Sequence, residues 1–296
     1  MERYLEHTIT QQEDGWGLEG VLKNTLGVSE SLIRRNKHIP CAITLDGVNA
    51  PVINTVHAGQ KLKVLISDVE RKSSVVPAKG PLDIVYEDED IIILNKRAGE
   101  VVHPDHNHHD NTIGNYLLYY YDTKGDTAAD FHPVQRLDNG TSGLLVAAKH
   151  AYAQNVLTCA MHTPSFERIY LALCEGEFDE NSGLIDAPIY RPDPIMIKRC
   201  VDERGQDAKT EYKVKEQFNG YALVELKLYT GRTHQIRVHM AHIGHPLLGD
   251  RLYGNTDNIS FPRTALHSWK LSFLHPLTGQ RMEFESPAPW GIGTRQ

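Results

Sequence analysis

The sequence predicts an α+β protein in which a mixed, largely antiparallel central sheet, decorated by helices, follows a smaller α+β unit. Three observations carry this reading. After residue 80, hairpin-like strand pairs outnumber β-α-β units, which favours an antiparallel sheet over a Rossmann layout. A polar join, RKSSVVPAKG at residues 71 to 80, divides the chain by composition, and its Ser, Pro and Gly content suits a linker. The 296 residues are 40% hydrophobic and 23% charged, enough for two domains of ordinary globular type.

The elements can be taken in chain order. In residues 1 to 77, Leu18, Val21, Leu22 and Leu26 recur at helical spacing, and Ser29 is placed to cap a second helix bearing Leu32 and Ile33. The turn Asp46-Gly47 separates two strand-like runs, CAITL and APVIN, and KLKVLI closes the unit as a strand. In residues 78 to 296 the strands are read at DIVYED, DIIILNK, GLLVAAK, IYLALCEG, TEYKVKEQF and YALVELKLYT. A final pair, KLSFLHP and QRMEFESP, flanks a Thr-Gly turn, and helices fall at NTIGNYLLYYY, YAQNVLTCAM and HQIRVHMAHIG.

Charge and cysteine usage narrow the partners. No run of about 20 apolar residues exists to cross a bilayer, and the start, MERYLEHTITQQEDGW, lacks the basic and apolar parts of a secretory signal, so a cytoplasmic protein is expected. Cys41, Cys159, Cys174 and Cys200 form no C-x-x-C pair and are expected to be reduced and structural. A net charge of −7 argues against a generic basic coat for nucleic acid, yet cations cluster at Arg34, Arg35 and Lys37 and again at Arg232 and Arg237.

The most informative stretch is HPVQRLDNGTSGLLVAAK, residues 132 to 149, which sets Arg136 and Asp138 beside a polar turn leading into an apolar strand. Such a loop can aim a carboxylate into a cleft, with Gly140 and Gly143 allowing a ligand close to the backbone. The competing reading is an Asp that caps its own turn, the common use of Asp before Asn-Gly.

This segment resembles the signature of the RluA-type pseudouridine synthases, with Gln135 where His is common. Three further stretches resemble the same family in the same order: LNKRAGEVVHP at 94 to 104, FERIYLALCEG at 166 to 176 with Arg168 in place of Lys, and LYTGRTHQIRVHMAHIGHPLLGDRLYG at 228 to 254. The resemblance implies a pseudouridine synthase fold and the isomerisation of uridine in structured RNA, most naturally large-subunit rRNA with tRNA as the other candidate. It also implies a monomer with no cofactor. It makes Asp138 the catalytic carboxylate, Tyr170 the active-site tyrosine, Arg237 the partner of Asp138, and Arg136 the side chain that fills the stack the base has left. Arg232, His234, Gln235 and Thr141 become substrate contacts. In the first unit, VSESLIRRNKHIPCAITLDG and HAGQKLKVLI resemble an S4 RNA-binding domain, which implies RNA contacts by Arg34, Arg35 and Lys37; a merely solvated helix face is the alternative.

The chemistry agrees with one carboxylate. The bond from C1′ to N1 breaks, the base turns, C1′ joins C5, and no net oxidation occurs, so a single group that bonds to or stabilises the sugar suffices. Two rivals remain. His103, His106, His108, His109 and Asp110, with His234, His239, His242 and His245, raise a metal site and a metallohydrolase. The other is a binder with a synthase fold and no activity, against which Asp138 and Tyr170 stand.

Overall fold

A computed structural model of the chain describes residues 2–105, 107–254 and 261–290. The first unit contains β1 (Tyr4–Thr8), α1 (Leu18–Gly20) running into a π-helical turn (Val21–Thr25), α2 (Glu30–Asn36), β2 (Ile43–Leu45), β3 (Val48–Asn49) and β4 (Lys61–Leu65). The strands form an antiparallel sheet in the order β1-β4-β2-β3 over a core of Leu18, Leu22, Ile33, Leu62 and Val64. The Ser29 side chain caps α2 by accepting from the Leu32 N–H, and Asp46 and Gly47, with φ of 51° and 81°, make the tight hairpin turn that two positive φ angles require. The strand expected at APVIN is displaced. Pairing runs through Val48–Asn49 and stops at Ala50, because Pro51 has no N–H to donate to the ladder. The carbonyls of Val52 and Asn54 turn instead to the N–H groups of Glu19 and Leu18.

The join at residues 71 to 80 has no regular structure and is nevertheless pinned to the second unit. Arg71 pairs with Asp122, the N–H groups of Lys72 and Ser73 bond Asp130, Asn115 bonds the Val76 carbonyl, and Val75 is buried in the main core. The two units also touch directly. Tyr152 is packed into the first unit's core and donates to the Leu26 carbonyl, and Arg3 makes two hydrogen bonds to the buried Asp90.

The remaining strands are β5 (Ile84–Glu87), β6 (Ile91–Lys96), β7 (His132–Pro133), β8 (Ser142–Ala148), β9 (Glu167–Glu175), β10 (Ser182–Asp186), β11 (Ile189–Tyr190), β12 (Cys200–Val201), β13 (Lys209–Phe218), β14 (Tyr221–Leu228), β15 (Leu266–Leu274) and β16 (Arg281–Glu285). All but β11 and β12, which form their own ribbon, lie in one sheet ordered β10-β13-β14-β9-β15-β8-β6-β5, with β16 on β15 and β7 on β8. The sheet is mixed through one short parallel contact, β8 with β15. Helices α3 (Ile113–Thr123) and α4 (Ala151–Ala160) cover opposite faces. Ile92 and Leu94 pack with Leu117 and Leu118 of α3, while Ile91 and Ile93 pack with Ala153 and Leu157 of α4. Burial on both faces explains why β6 and β8 read as continuous apolar runs rather than alternating ones. Helix α5 (Gln235–His242) sends Ile236 and Met240 into the α3-side core.

No described helix is long and apolar enough to cross a membrane. The cysteines form no disulfide; Cys174 is buried, whereas Cys41 and Cys159 are exposed, so the packing part expected of all four does not extend to those two.

Candidate active site

Asp138 lies in the loop between β7 and β8, and its carbonyl accepts from the Thr141 N–H at 3.0 Å to close the turn. Its carboxylate takes no part in that turn, which removes the self-capping reading. Oδ2 accepts from Arg237 Nη1 at 3.1 Å, and Oδ1 has no hydrogen-bond donor among the described residues. Gly143 serves the sheet, while Gly140 lines a cleft beside Asp138. Gly143, at φ 107°, would drive a Cβ to 2.2 Å from the Ser268 carbonyl oxygen on β15, whereas Gly140 has ordinary φ and only van der Waals neighbours.

Arg237 is on the inward face of α5 and holds two carboxylates. Nε and Nη2 donate to Asp250 at 2.7 and 2.8 Å while Nη1 reaches Asp138. Burial alone lowers an arginine, but Asp250 and then Asp138 outweigh it and hold the Arg237 guanidinium above its usual range. Asp250 has no exposed side-chain surface, and its Oδ1 also accepts the N–H groups of Leu252 and Tyr253. His234 begins α5 with a left-handed φ of 59°. Its Nδ1 meets the Tyr253 hydroxyl at 2.9 Å, and that hydroxyl in turn accepts from the Arg199 N–H. In the tautomer whose Nδ1 accepts the hydroxyl proton, the neutral ring keeps its N–H on Nε2, 3.9 Å from Asp138. Burial lowers the His234 pKa in spite of Asp138, which favours this neutral ring.

Tyr170 stands on β9, almost fully buried, and burial pushes its phenol up. Lys96, at the end of β6, is 1% exposed; its ammonium donates to the carbonyls of Arg97, Glu100 and Asn139 at 2.9, 2.7 and 3.2 Å, and burial brings its pKa down to about 8. Arg263 donates to the carbonyls of Gly140 and Thr264 and to the Ser142 hydroxyl, and so braces the turn that carries Asp138. Two clefts, of about 800 and about 940 Å³, are both lined by Asp138, which puts the carboxylate at their junction. Tyr170, Leu228 and Leu266 wall a narrow slot between them.

The other expected residues divide. Arg136 is exposed, lines the larger cleft and has no ion pair among the described residues; Arg232 lines it too and donates to the Asp207 carbonyl. Thr141 is buried beside the slot. Gln235 lines the slot, yet its amide is taken up by Thr230, Thr210 and the backbone of Arg232 and Lys209, so it ties the Thr230–Arg232 turn to β13 rather than offering groups to a substrate.

In the first unit Arg34 and Lys37 are exposed, but Arg35 turns inward to Asn36, the Leu65 carbonyl and Asp68, which corrects its assignment to RNA contact. Of the histidines, His103 lines the cleft and His108 pairs with Asp105, whereas His106 lies outside the described residues. His239 gives both ring nitrogens to Thr210 and Ala187, and His245 bonds Glu175 and stacks on Phe178. Asp250, Lys96, Tyr253 and Arg263 escaped the sequence reading; Asp250 and Tyr253 lie inside the LLGDRLYG stretch, which is the signal that could have found them.

Comparison with known proteins fits this arrangement. The RNA pseudouridylate synthase family matches over residues 90–242, which hold Asp138, Tyr170 and Arg237. The chain is 38% identical to the uncharacterized RNA pseudouridine synthase YhcT of Bacillus subtilis, over 97% of this chain and 94% of that protein. It is 41% identical to ribosomal large subunit pseudouridine synthase D of Pseudomonas aeruginosa, over 83% of this chain and 80% of the relative. Human RNA pseudouridylate synthase domain containing 1 shares the fold, with a TM-score of 0.58 and 28% identity over 74% of this chain and 86% of its own. Similarity that runs nearly end to end, through a mixed sheet of the same architecture, makes the chain a member of the RNA pseudouridylate synthase family, an RluA-type isomerase of uridine in RNA.

Proposed function

We propose that Asp138 is the group that acts on C1′ of the target uridine, that Arg237 holds it, and that Tyr170 packs on the uracil ring. The observation that supports this most is the free Oδ1 of Asp138: one carboxylate oxygen is fixed by Arg237 and the other is uncommitted where two clefts meet. That oxygen serves either route, a bond to C1′ or stabilisation of a glycal or oxocarbenium-like sugar, as C1′ leaves N1 and is rejoined through C5. Once C1′ and C5 are joined, the C5 proton must leave and N1 must gain one, so the reaction balances without an oxidant. Burial keeps the Tyr170 phenol protonated near neutral pH, which suits stacking and hydrogen bonding better than service as a phenolate base. Arg136, exposed at the cleft, is assigned to the gap left by the extruded base. The relatives named for the ribosomal large subunit support large-subunit rRNA as the target.

Asp138→Asn tests the central role, because it preserves shape and removes the charge. Turnover should fall by at least about a thousandfold, roughly 4 kcal/mol of transition-state stabilisation, while RNA binding persists. A folded Asp138→Asn protein that makes pseudouridine near the wild-type rate defeats the assignment. Mapping pseudouridines in RNA from a deletion strain tests the target.

A further inference from the structure

Beside the catalytic clefts lies a cavity of about 410 Å³ under the β11–β12 ribbon, and its lining is unusual for a chain of net charge −7. Four arginines, Arg191, Arg199, Arg204 and Arg232, line it and no carboxylate does. Arg204 makes two bonds to Asp202, at 2.8 and 2.6 Å, but with 69% of its side chain exposed water screens the pair and leaves the guanidinium accessible, and it also lies over the Tyr190 ring. Arg191, Arg199 and Arg232 have no ion pair among the described residues; each donates only to backbone carbonyls, of Met196, of Met196 to Lys198, and of Asp207. Away from the clefts Arg3, Arg71 and Arg281 each hold a carboxylate. Three of the four cations thus share one concavity with no acidic partner among the described residues, and they repel one another unless an anion enters.

The surroundings say which anion. Arg232 and Thr233 also line the cleft that holds Asp138, so the cavity opens from the path of the substrate. The bonds from Arg191 and Arg199 hold up a loop whose tip is apolar: Ile195, Met196 and Ile197 are 91%, 58% and 67% exposed, and Ile197 lines the 800 Å³ cleft. The cavity is thus cationic and the loop tip next to it offers exposed apolar contact, a pairing that suits a polynucleotide strand, which presents both phosphates and bases.

We propose that this arginine cavity seats backbone phosphates of the RNA strand adjoining the target uridine, with the 195–197 tip against its bases. The proposal rests on RNA as the substrate and not on the role given to Asp138. It is therefore tested in the Asp138→Asn background, by anisotropy with an unmodified large-subunit rRNA transcript over a range of salt. Arg191→Gln combined with Arg204→Gln should make the slope of log affinity against log salt shallower by about 1.4, about 0.7 for each single-strand phosphate that is no longer neutralised. In the active enzyme the same pair should raise KM about tenfold and leave kcat within about twofold. Arg191→Lys with Arg204→Lys keeps the charge and should keep the slope. An unchanged slope in the Gln pair, or an equal loss in the Lys pair, overturns the proposal, as does saturable binding of inorganic phosphate with an unaltered RNA slope. Failure of the wild-type enzyme to modify the transcript would count against the rRNA target instead, since the salt slope reads phosphate contacts whichever uridine is the substrate.

Discussion

Arg237→Lys puts the two-carboxylate grip under direct strain. The guanidinium makes three bonds, at 2.7 and 2.8 Å to Asp250 and 3.1 Å to Asp138, and a single ammonium cannot span both acids. The lysine should go to Asp250, whose side chain is wholly buried, because an unpaired buried carboxylate is the costlier vacancy; Asp138 keeps 28% of its surface in water. The site then loses one charge-assisted hydrogen bond at the reacting carboxylate, about 1.5–3 kcal/mol, which corresponds to a fall in kcat of about 10- to 150-fold. Losing one of the two Asp250 bonds should also lower stability by about 1–2 kcal/mol. Release of tritium from 5-tritiated uridine in RNA under single-turnover conditions reads the first effect, thermal unfolding the second, and RNA affinity should barely move. A folded Arg237→Lys enzyme within about threefold of wild-type turnover would refute the claim that Arg237 sets the position of Asp138.

The same geometry sets three other expectations. Lys96 satisfies three carbonyls only as an ammonium, so saturating turnover should decline on the alkaline side with a midpoint near pH 8, and Lys96→Arg should move that limb upward; a profile flat to about pH 10 would show that Lys96 does not hold the Asp138 loop. The stability linkage of Lys96 has the opposite sign: with its folded pKa below the ordinary lysine value, its contribution rises with pH from about 8 upward. Burial alone would raise Asp90, but His150 and Arg3 hold it far below the usual carboxylate range, so its stabilisation is present at neutral pH and lost as pH falls below about 4. Arg3→Met should therefore cost about 1–2 kcal/mol at pH 7, discounted because Arg3 is a third exposed, and still most of that at pH 3, where Asp90 remains ionised in the folded chain; urea unfolding in which the deficit has already vanished at pH 3 contradicts this. Arg136→Ala should impair a paired target more than an already unpaired one, and equal defects would point to a phosphate or chemical role.

Long apolar runs and tight motifs were legible in the sequence because their causes are local. β6, β8 and β9 are buried on both faces and read as strands, and the Asp46-Gly47 hairpin carries its own φ signature. What escaped depends on distant partners. β1 is a half-exposed edge strand with no clean alternation, and β11 and β12 are two residues each. Arg35 reads as one cationic face with Arg34, but successive helical residues differ by about 100°, and that step turns Arg35 toward Asn36 and Asp68. Lys96 looks like a surface lysine at a strand end until two turns deliver three carbonyls to it. Asp250 sits 13 residues from Arg237, a separation with no helical or strand period, so only folding reveals the pair.

One residue, Ser268, pairs with Gly143 on β8 in parallel and with Tyr170 on β9 antiparallel, while its hydroxyl bonds the Leu144 carbonyl. The strand that carries it comes late in the chain and is inserted between two sets of strands built from earlier segments, β10-β13-β14-β9 on one side and β8-β6-β5 on the other. Each set contains hairpins that can form early, whereas the β8–β15 contact closes across 125 residues and belongs to the slow, long-range part of folding. Asp138 stands a few residues before β8 in one set and Tyr170 lies on β9 in the other, so β15, paired with both β8 and β9, is the strand that joins the two halves of the site in one sheet.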